Sequence, residues 1–211
     1  MRSLRLPRLY PILDAGVLAA RGIGVEEFAR ALLDAGATLL QYRDKKGTPQ
    51  DVLRNAALIQ GLLSGRECSL IMNDRSDLAV LAAWDGVHVG QGDLSPEDAR
   101  HVVGSTRLIG VSTHTQEQVR LAELSDADYI AIGPIFATST KADAEPVIGL
   151  EGVRRARELT TKPLVAIGGI TRANARGVVD AGADSVAVIS ELLVEGAAVE
   201  KVVGDFLDLL R

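Results

Sequence analysis

Tyr129-Ile130-Ala131-Ile132-Gly133-Pro134-Ile135-Phe136-Ala137-Thr138-Ser139-Thr140-Lys141 passes within one short span from an apolar run to a hydroxyl-rich loop. The run Tyr129–Ile132 reads as a strand buried on both faces. Gly133 and Pro134 end it, since proline cannot donate to a sheet ladder. Thr138, Ser139 and Thr140 then set three hydroxyls beside the ammonium of Lys141. Short hydroxyls with one flexible point charge suit phosphate oxygens, although the same loop could be plain solvated surface. Its place in the chain decides between the two.

Outward from this stretch the same unit recurs in both directions. Downstream come a helix at Leu150–Leu159, strand Pro163–Ile167, helix Arg172–Ala181, strand Ser185–Ile189 and a final helix Ala197–Leu210. Upstream lie helix Gln116–Leu124, strand Leu108–Val111, and a helix opened by Ser95-Pro96-Glu97 with a cap, a first-turn proline and an acid. Before these stand strand Gly86–Val89, helix Asp77–Ala83 and strand Ser69–Asn73. A helix from Pro49 to Leu63 is capped by Thr48, and strand Thr38–Arg43 precedes it. Helix Val25–Ala35, closed by Gly36, and strand Leu9–Asp14 complete the series.

Eight strand–helix units result, the number that closes a parallel (β/α)8 TIM barrel. Asp34-Ala35-Gly36-Ala37 and Asp180-Ala181-Gly182-Ala183 echo each other at two helix-to-strand junctions. A doubly wound open sheet is the alternative, but no G-x-G-x-x-G follows an early strand. With no linker or low-complexity tract, residues 1–211 read as a single α/β barrel domain.

Composition narrows the function classes. A chain of 211 residues, 47% hydrophobic, can bury a sizeable core. Its net charge of −5 disfavours a broad nucleic-acid footprint. Cys68, the sole cysteine, excludes an intrachain disulfide and fits a reducing cytoplasm. No secretory h-region follows Arg2, Arg5 and Arg8, and no apolar stretch is long enough for a membrane span. A cytoplasmic enzyme acting on small molecules is the expectation, with room for a homo-oligomer.

In such barrels the chemistry gathers at the carboxyl ends of the strands. Those ends carry Gln41 and Arg43, Asn73 and Asp74, His88, Ser112, Gly133, Gly168-Gly169 and Ser190. Gln41 and Arg43 alternate with Tyr42 and so share a face, with Lys45 just beyond: an anion site. Asp74 and Asp93 sit on neighbouring loops and are either helix caps or ligands of Mg²⁺, which takes one or two carboxylates plus waters and phosphate oxygens. His88 is either a bonded core residue or part of the site. The histidines His88, His101 and His114 lack zinc-ligand spacing, and no G-x-S-x-G elbow is present. The loops after strands seven and eight are the barrel's usual phosphate cradle.

Gln41-Tyr42-Arg43-Asp44-Lys45, Asn73-Asp74-Arg75, Gly86-Val87-His88-Val89-Gly90-Gln91 with Asp93, Gly110-Val111-Ser112-Thr113-His114, the Gly133–Lys141 loop, Ile167-Gly168-Gly169-Ile170 and Val186-Ala187-Val188-Ile189-Ser190 together resemble the thiamine phosphate synthases. That resemblance implies a transferase that joins 4-amino-2-methyl-5-pyrimidinylmethyl diphosphate to a thiazole phosphate and expels pyrophosphate by a dissociative, Mg²⁺-assisted route. It implies that Arg43, Lys45, Asn73, Ser112 and Lys141 hold the diphosphate, and that Asp74 and Asp93 hold Mg²⁺. Gln41, His88 and Tyr129 would line the pyrimidine pocket. Thr138, Thr140, Gly169, Ile189 and Ser190 would bind the thiazole phosphate. Two departures from the family pattern are the acidic Ala142-Asp143-Ala144-Glu145-Pro146 and the Thr115-Gln116 that follows His114. Rival readings are a thiazole tautomerase on the same barrel and a non-catalytic thiamine-precursor sensor. The first needs neither a diphosphate nor a metal site.

Overall fold

The computed structural model describes residues 4–138 and 146–211. Strands and helices alternate as β1 (Leu9–Asp14), α1 (Ala15–Ala20), α2 (Val25–Asp34), β2 (Leu39–Arg43), α3 (Pro49–Gly61) and β3 (Ser69–Asn73). Next come α4 (Ser76–Leu81), β4 (Gly86–Val89), α5 (Pro96–Val103), β5 (Leu108–Thr113), α6 (Gln116–Leu124) and β6 (Tyr129–Ile132). The series ends with α7 (Gly149–Leu159), β7 (Leu164–Ile167), α8 (Ala175–Asp180), β8 (Ser185–Val188) and α9 (Val199–Leu209). All strand pairs are parallel, and β1 pairs with both β2 and β8, so the sheet closes on itself as the expected eight-stranded barrel.

Local chemistry accounts for the element ends. Thr48 and Thr115 each form a reciprocal capping box, with Asp51 and Gln118, at the starts of α3 and α6. Two elements were not expected. No helix is expected in residues 15–24, but Asp14 accepts the Val17 amide at 3.0 Å and caps the short α1. A 3-10 turn, Ser190–Leu193, directly follows the β8 end. Helix α8 begins later than Arg172, because the Asn174 side-chain Oδ1 accepts the Thr171 amide at 2.8 Å in a preceding turn.

A recurring clasp joins the strands in pairs at the end of the barrel opposite the site. Asp85, Asp128 and Asp184 each stand immediately before an even-numbered strand. Their carboxylates accept the amides of Leu70 at 2.8 Å, Ile109 at 2.7 Å and Leu164 at 2.8 Å. Their own amides donate back to the carbonyls of those same three residues, at 3.0, 2.7 and 2.8 Å. Arg100 and Arg157 reinforce two of the clasps by bonding Asp128 and Asp184.

Two apolar clusters divide the interior. The larger lies between strands and helices and includes Phe28, Leu32, Val87, Ile130 and Phe206. The smaller fills the lumen with Tyr10, Ile12, Leu39, Ile71, Tyr129, Ala131, Val165 and Ala187. Register sets His88, Gly110 and Tyr129 side by side on β4, β5 and β6. Gly110 has no side chain to hold the other two apart, and a Cβ there would stand 2.0 Å from Tyr129 Cζ. Gly110→Ala therefore forces the buried Tyr129 ring aside. Overpacking of this kind costs roughly 2–3 kcal/mol, which lowers the thermal midpoint by roughly 4–12 °C. Scanning calorimetry checks this, and an unchanged midpoint would contradict the close packing.

Candidate active site

The polar strand ends converge on one cavity in the barrel mouth. Tyr10, Gln41, Arg43, Asn73, His88 and Ser112 form one side of it, all from β1 to β5. Ala131, Val165, Ile167, Ala187 and Ile189, from β6 to the β8 end, form the opposite, apolar side. Alternation along each strand explains the convergence, since Gln41 and Arg43 face inward while Tyr42 packs in the outer core. A cavity with one hydrogen-bonding wall and one apolar wall suits a flat heteroaromatic ring.

The polar wall is internally bonded. Gln41 Nε2 donates to the Tyr10 hydroxyl at 3.0 Å, and the Tyr10 and Tyr129 hydroxyls lie 2.9 Å apart. Tyr129 Oη is 3.1 Å from His88 Nδ1, and His88 Nε2 is 2.9 Å from Ser112 Oγ. Tyr129, expected to line the pocket, lies instead beneath its wall, 1% exposed, behind Tyr10 and His88. Burial raises the titration of both phenols far above the ordinary tyrosine range. Gln91 Nε2 donates to the Ser112 carbonyl at 2.7 Å and ties the β4 loop to β5.

Charge is arranged around the rim in opposed pairs. Arg43 bonds the buried Asp14, its register partner on β1. Lys45 bonds Asp74. Asp74 also faces Asp93, whose carboxylate accepts the Gly90 amide at 2.8 Å. Burial raises the Asp74 pKa; Lys45 opposes the shift and the neighbouring Asp93 adds to it. Asp74 further adopts a left-handed backbone, φ 62°, a conformation that strains most side chains and is most tolerable for Asn and Asp. Among the described residues no group of three or more His, Cys, Asp or Glu could hold a metal, so Asp74 and Asp93 form a two-carboxylate arrangement.

The ends of β6 and β7 are welded together. The amides of Ile135 and Phe136 donate to the carbonyls of Ile167 and Gly168, at 2.9 and 3.0 Å. Gly168 and Gly169 have φ values of 101° and 63°, and a Cβ on either would meet Pro134 or the Ala137 carbonyl within 2.6 Å. The glycine pair is thus required by the approach of the loop after β6. Asn174 Nδ2 donates to the Gly169 carbonyl at 3.1 Å. Gly169, Ile189 and Ser190 stand together at the ends of adjacent strands, and Thr138 ends the described part of the loop. Thr140 and Lys141 lie outside the described residues.

Tyr10 and Asp14 were absent from the sequence reading of the site. Asp14 ends the first strand as Arg43 ends the second, and that parallel was the available signal. Nothing local marks Tyr10, which becomes notable only when Tyr129 is brought within reach of it.

A family model described as thiamine monophosphate synthase matches residues 9–192. The thiamine-phosphate synthase of Koribacter versatilis is 53% identical over 195 residues, which cover 92% of each chain. That of Chloroflexus aurantiacus is 42% identical over 186 residues, covering 88% of this chain and 85% of the relative. The structure of a thiamine phosphate pyrophosphorylase from Pyrococcus furiosus superposes with a TM-score of 0.85 at 32% identity, covering 96% of this chain and 95% of that one.

The raised Asp74 pKa has a consequence for stability. A carboxyl whose folded pKa lies above its unfolded value destabilises the fold while ionised, and that penalty fades as pH falls through the folded pKa. Asp74→Asn removes the buried charge and suits the left-handed backbone better. The variant should melt roughly 2–4 °C higher than the parent at neutral pH in metal-free buffer, equivalent to about 1 kcal/mol. The gain should shrink on acidification. Calorimetry between neutral and mildly acidic pH checks both, and a lower midpoint for the variant at neutral pH would refute the assignment.

Proposed function

The chain belongs to the thiamine monophosphate synthase family, and from that premise we propose that it is a thiamine-phosphate synthase, a transferase of one catalytic domain spanning residues 1–211. It joins 4-amino-2-methyl-5-pyrimidinylmethyl diphosphate to a thiazole phosphate, with loss of pyrophosphate. The observation that carries this reading is the convergence, at one barrel mouth, of a half-polar cavity with the Arg43, Lys45, Asp74 and Asp93 cluster. A tautomerase acting on thiazole phosphate alone would have no use for that cluster. No described helix is long and apolar enough to cross a membrane, and we place the enzyme in the cytoplasm, where it acts on small molecules as a monomer or homo-oligomer.

In this reading the pyrimidine lies between the Gln41 and His88 wall and the apolar wall, above Tyr129. Its diphosphate reaches the rim, where Arg43, Lys45, Asn73, Ser112 and Lys141 bind it. The bond from the methylene carbon to the diphosphate oxygen breaks, and the electron pair leaves with pyrophosphate. The carbon left behind is a benzylic-type cation, delocalised into the aminopyrimidine. The thiazole nitrogen, with its lone pair free, then forms the new carbon–nitrogen bond, so no general base is required. Arg43 and Lys45 meet the charge as it grows on the leaving oxygens, the point at which fixed donors accelerate a reaction most. Thr138, Thr140, Gly169, Ile189 and Ser190 hold the phosphate of the second substrate and present its ring to the cation.

Asp74 and Asp93 fit Mg²⁺: the paired carboxylates carry a charge conflict that a cation relieves, and two carboxylates are the protein share such an ion takes. When bound, Mg²⁺ supplies charge neutralisation of the pyrophosphate leaving group.

Pyrophosphate release from purified protein, with both substrates and Mg²⁺ and with an EDTA control, tests the function. Release that requires all three, in step with thiamine phosphate formation, is the expected result. Absence of release with tight thiazole phosphate binding would overturn it. Arg43→Lys keeps the charge but loses the planar two-pronged donor, and turnover should fall on the order of 10²-fold.

A further inference from the structure

We propose that Tyr10 is a positioning residue that acts from within the polar wall of the cavity: with Tyr129 it fixes His88 as the Nε2–H tautomer, so that Ser112 turns its hydroxyl proton toward the bound diphosphate. The inference rests on the function proposed above and extends it to residues that do not touch the phosphate.

The five groups form one continuous chain, Gln41–Tyr10–Tyr129–His88–Ser112, with every link between 2.9 and 3.1 Å. Both phenols stay protonated at any working pH, because burial opposes their ionisation. Each phenol must therefore donate one hydrogen bond, and the buried chain must run in a single direction. Gln41 presents its NH₂ group to Tyr10. Tyr10, already accepting there, passes its proton to Tyr129, and Tyr129 passes its own to His88 Nδ1. An accepting Nδ1 leaves the proton of the neutral ring on Nε2, which donates to Ser112 Oγ. Ser112, having accepted, keeps its own proton to give.

The opposite direction needs Gln41 turned over and ends with Ser112 donating into the protein. A diphosphate only accepts hydrogen bonds, so only the first direction lets Ser112 bind it. Gly110 makes the chain possible, since its missing side chain is the space in which Tyr129 reaches His88.

Two measurements test this. The first reads the ¹⁵N shifts of the imidazole rings in the substrate-free protein at neutral pH. The chain has three histidines, and a His88→Gln variant assigns the one in question. A His88 ring carrying its proton on Nε2 supports the proposal. A proton on Nδ1, or on both nitrogens, overturns it. In Tyr10→Phe, which keeps the ring but not the hydroxyl, the two neutral tautomers should become mixed; an unchanged ring would mean that Tyr10 plays no part.

The second measurement is a double-mutant cycle in turnover. Tyr10→Phe and Ser112→Ala should each lower kcat about tenfold with the KM for thiazole phosphate unchanged, and together they should cost little more than either alone. Multiplying effects would reduce Tyr10 to packing. The tautomer measurement needs no substrate, so a protein that fails to release pyrophosphate would sink the proposed function while leaving the direction of the chain separately decided.

Discussion

Closing eight parallel strands creates an interior that only side chains can fill, because alternate residues of every strand point into it. Everything at the functional end follows from how that space is occupied. The lumen begins with apolar residues such as Leu39, Ile71 and Val165 and changes toward the mouth to Gln41, His88 and Ser112. Polar groups in a space this dry are tolerable only when they satisfy one another. The chain of bonds across the lumen meets that requirement before any ligand is considered. A glycine at 110 is the geometric condition for it, since β5 would otherwise wedge its neighbours apart.

The rim follows a different rule. Its charges are paired, Arg43 with Asp14 and Lys45 with Asp74, yet Asp74 also meets a second carboxylate while held in a strained backbone. A fold selected for stability alone would relax such a site with an asparagine or a glycine. Strain and like-charge repulsion gathered in a few residues at one mouth are characteristic of places where binding, not folding, sets the residue choice. At the opposite end the three clasp aspartates each accept a backbone amide, and two of them also bond a guanidinium group.

The barrel itself was legible in the sequence, because every strand is a short apolar run and many helices open on a cap or a first-turn proline. Strand ends likewise announced Gln41, Arg43, Asn73, Asp74, His88 and Ser112, which the fold does bring to one mouth. What escaped were features that depend on register. Tyr10 and Tyr129 are far apart in the chain, and nothing in either strand shows that their hydroxyls meet. Asp14 looked like a strand terminus, whereas it both caps α1 and steadies Arg43. The packing of Gly168-Gly169 against the loop after β6 is likewise visible only once β6 and β7 stand side by side.

The aspartate clasps carry a different implication. They lock β3 to β4, β5 to β6 and β7 to β8, whereas the seams β2–β3, β4–β5 and β6–β7 have no counterpart among the described residues. Six of the eight strands are therefore tied in pairs, and β1 and β2 close the ring with no such clasp among the described residues. New chain ends introduced between clasped pairs keep both partners of every clasp on one continuous stretch of chain, whereas ends introduced inside a clasped pair leave the hydrogen bonds alone to reunite its strands. For circular permutation, for splitting the chain into fragments, or for trading quarters between related barrels, the favourable cut points are already drawn by three aspartates.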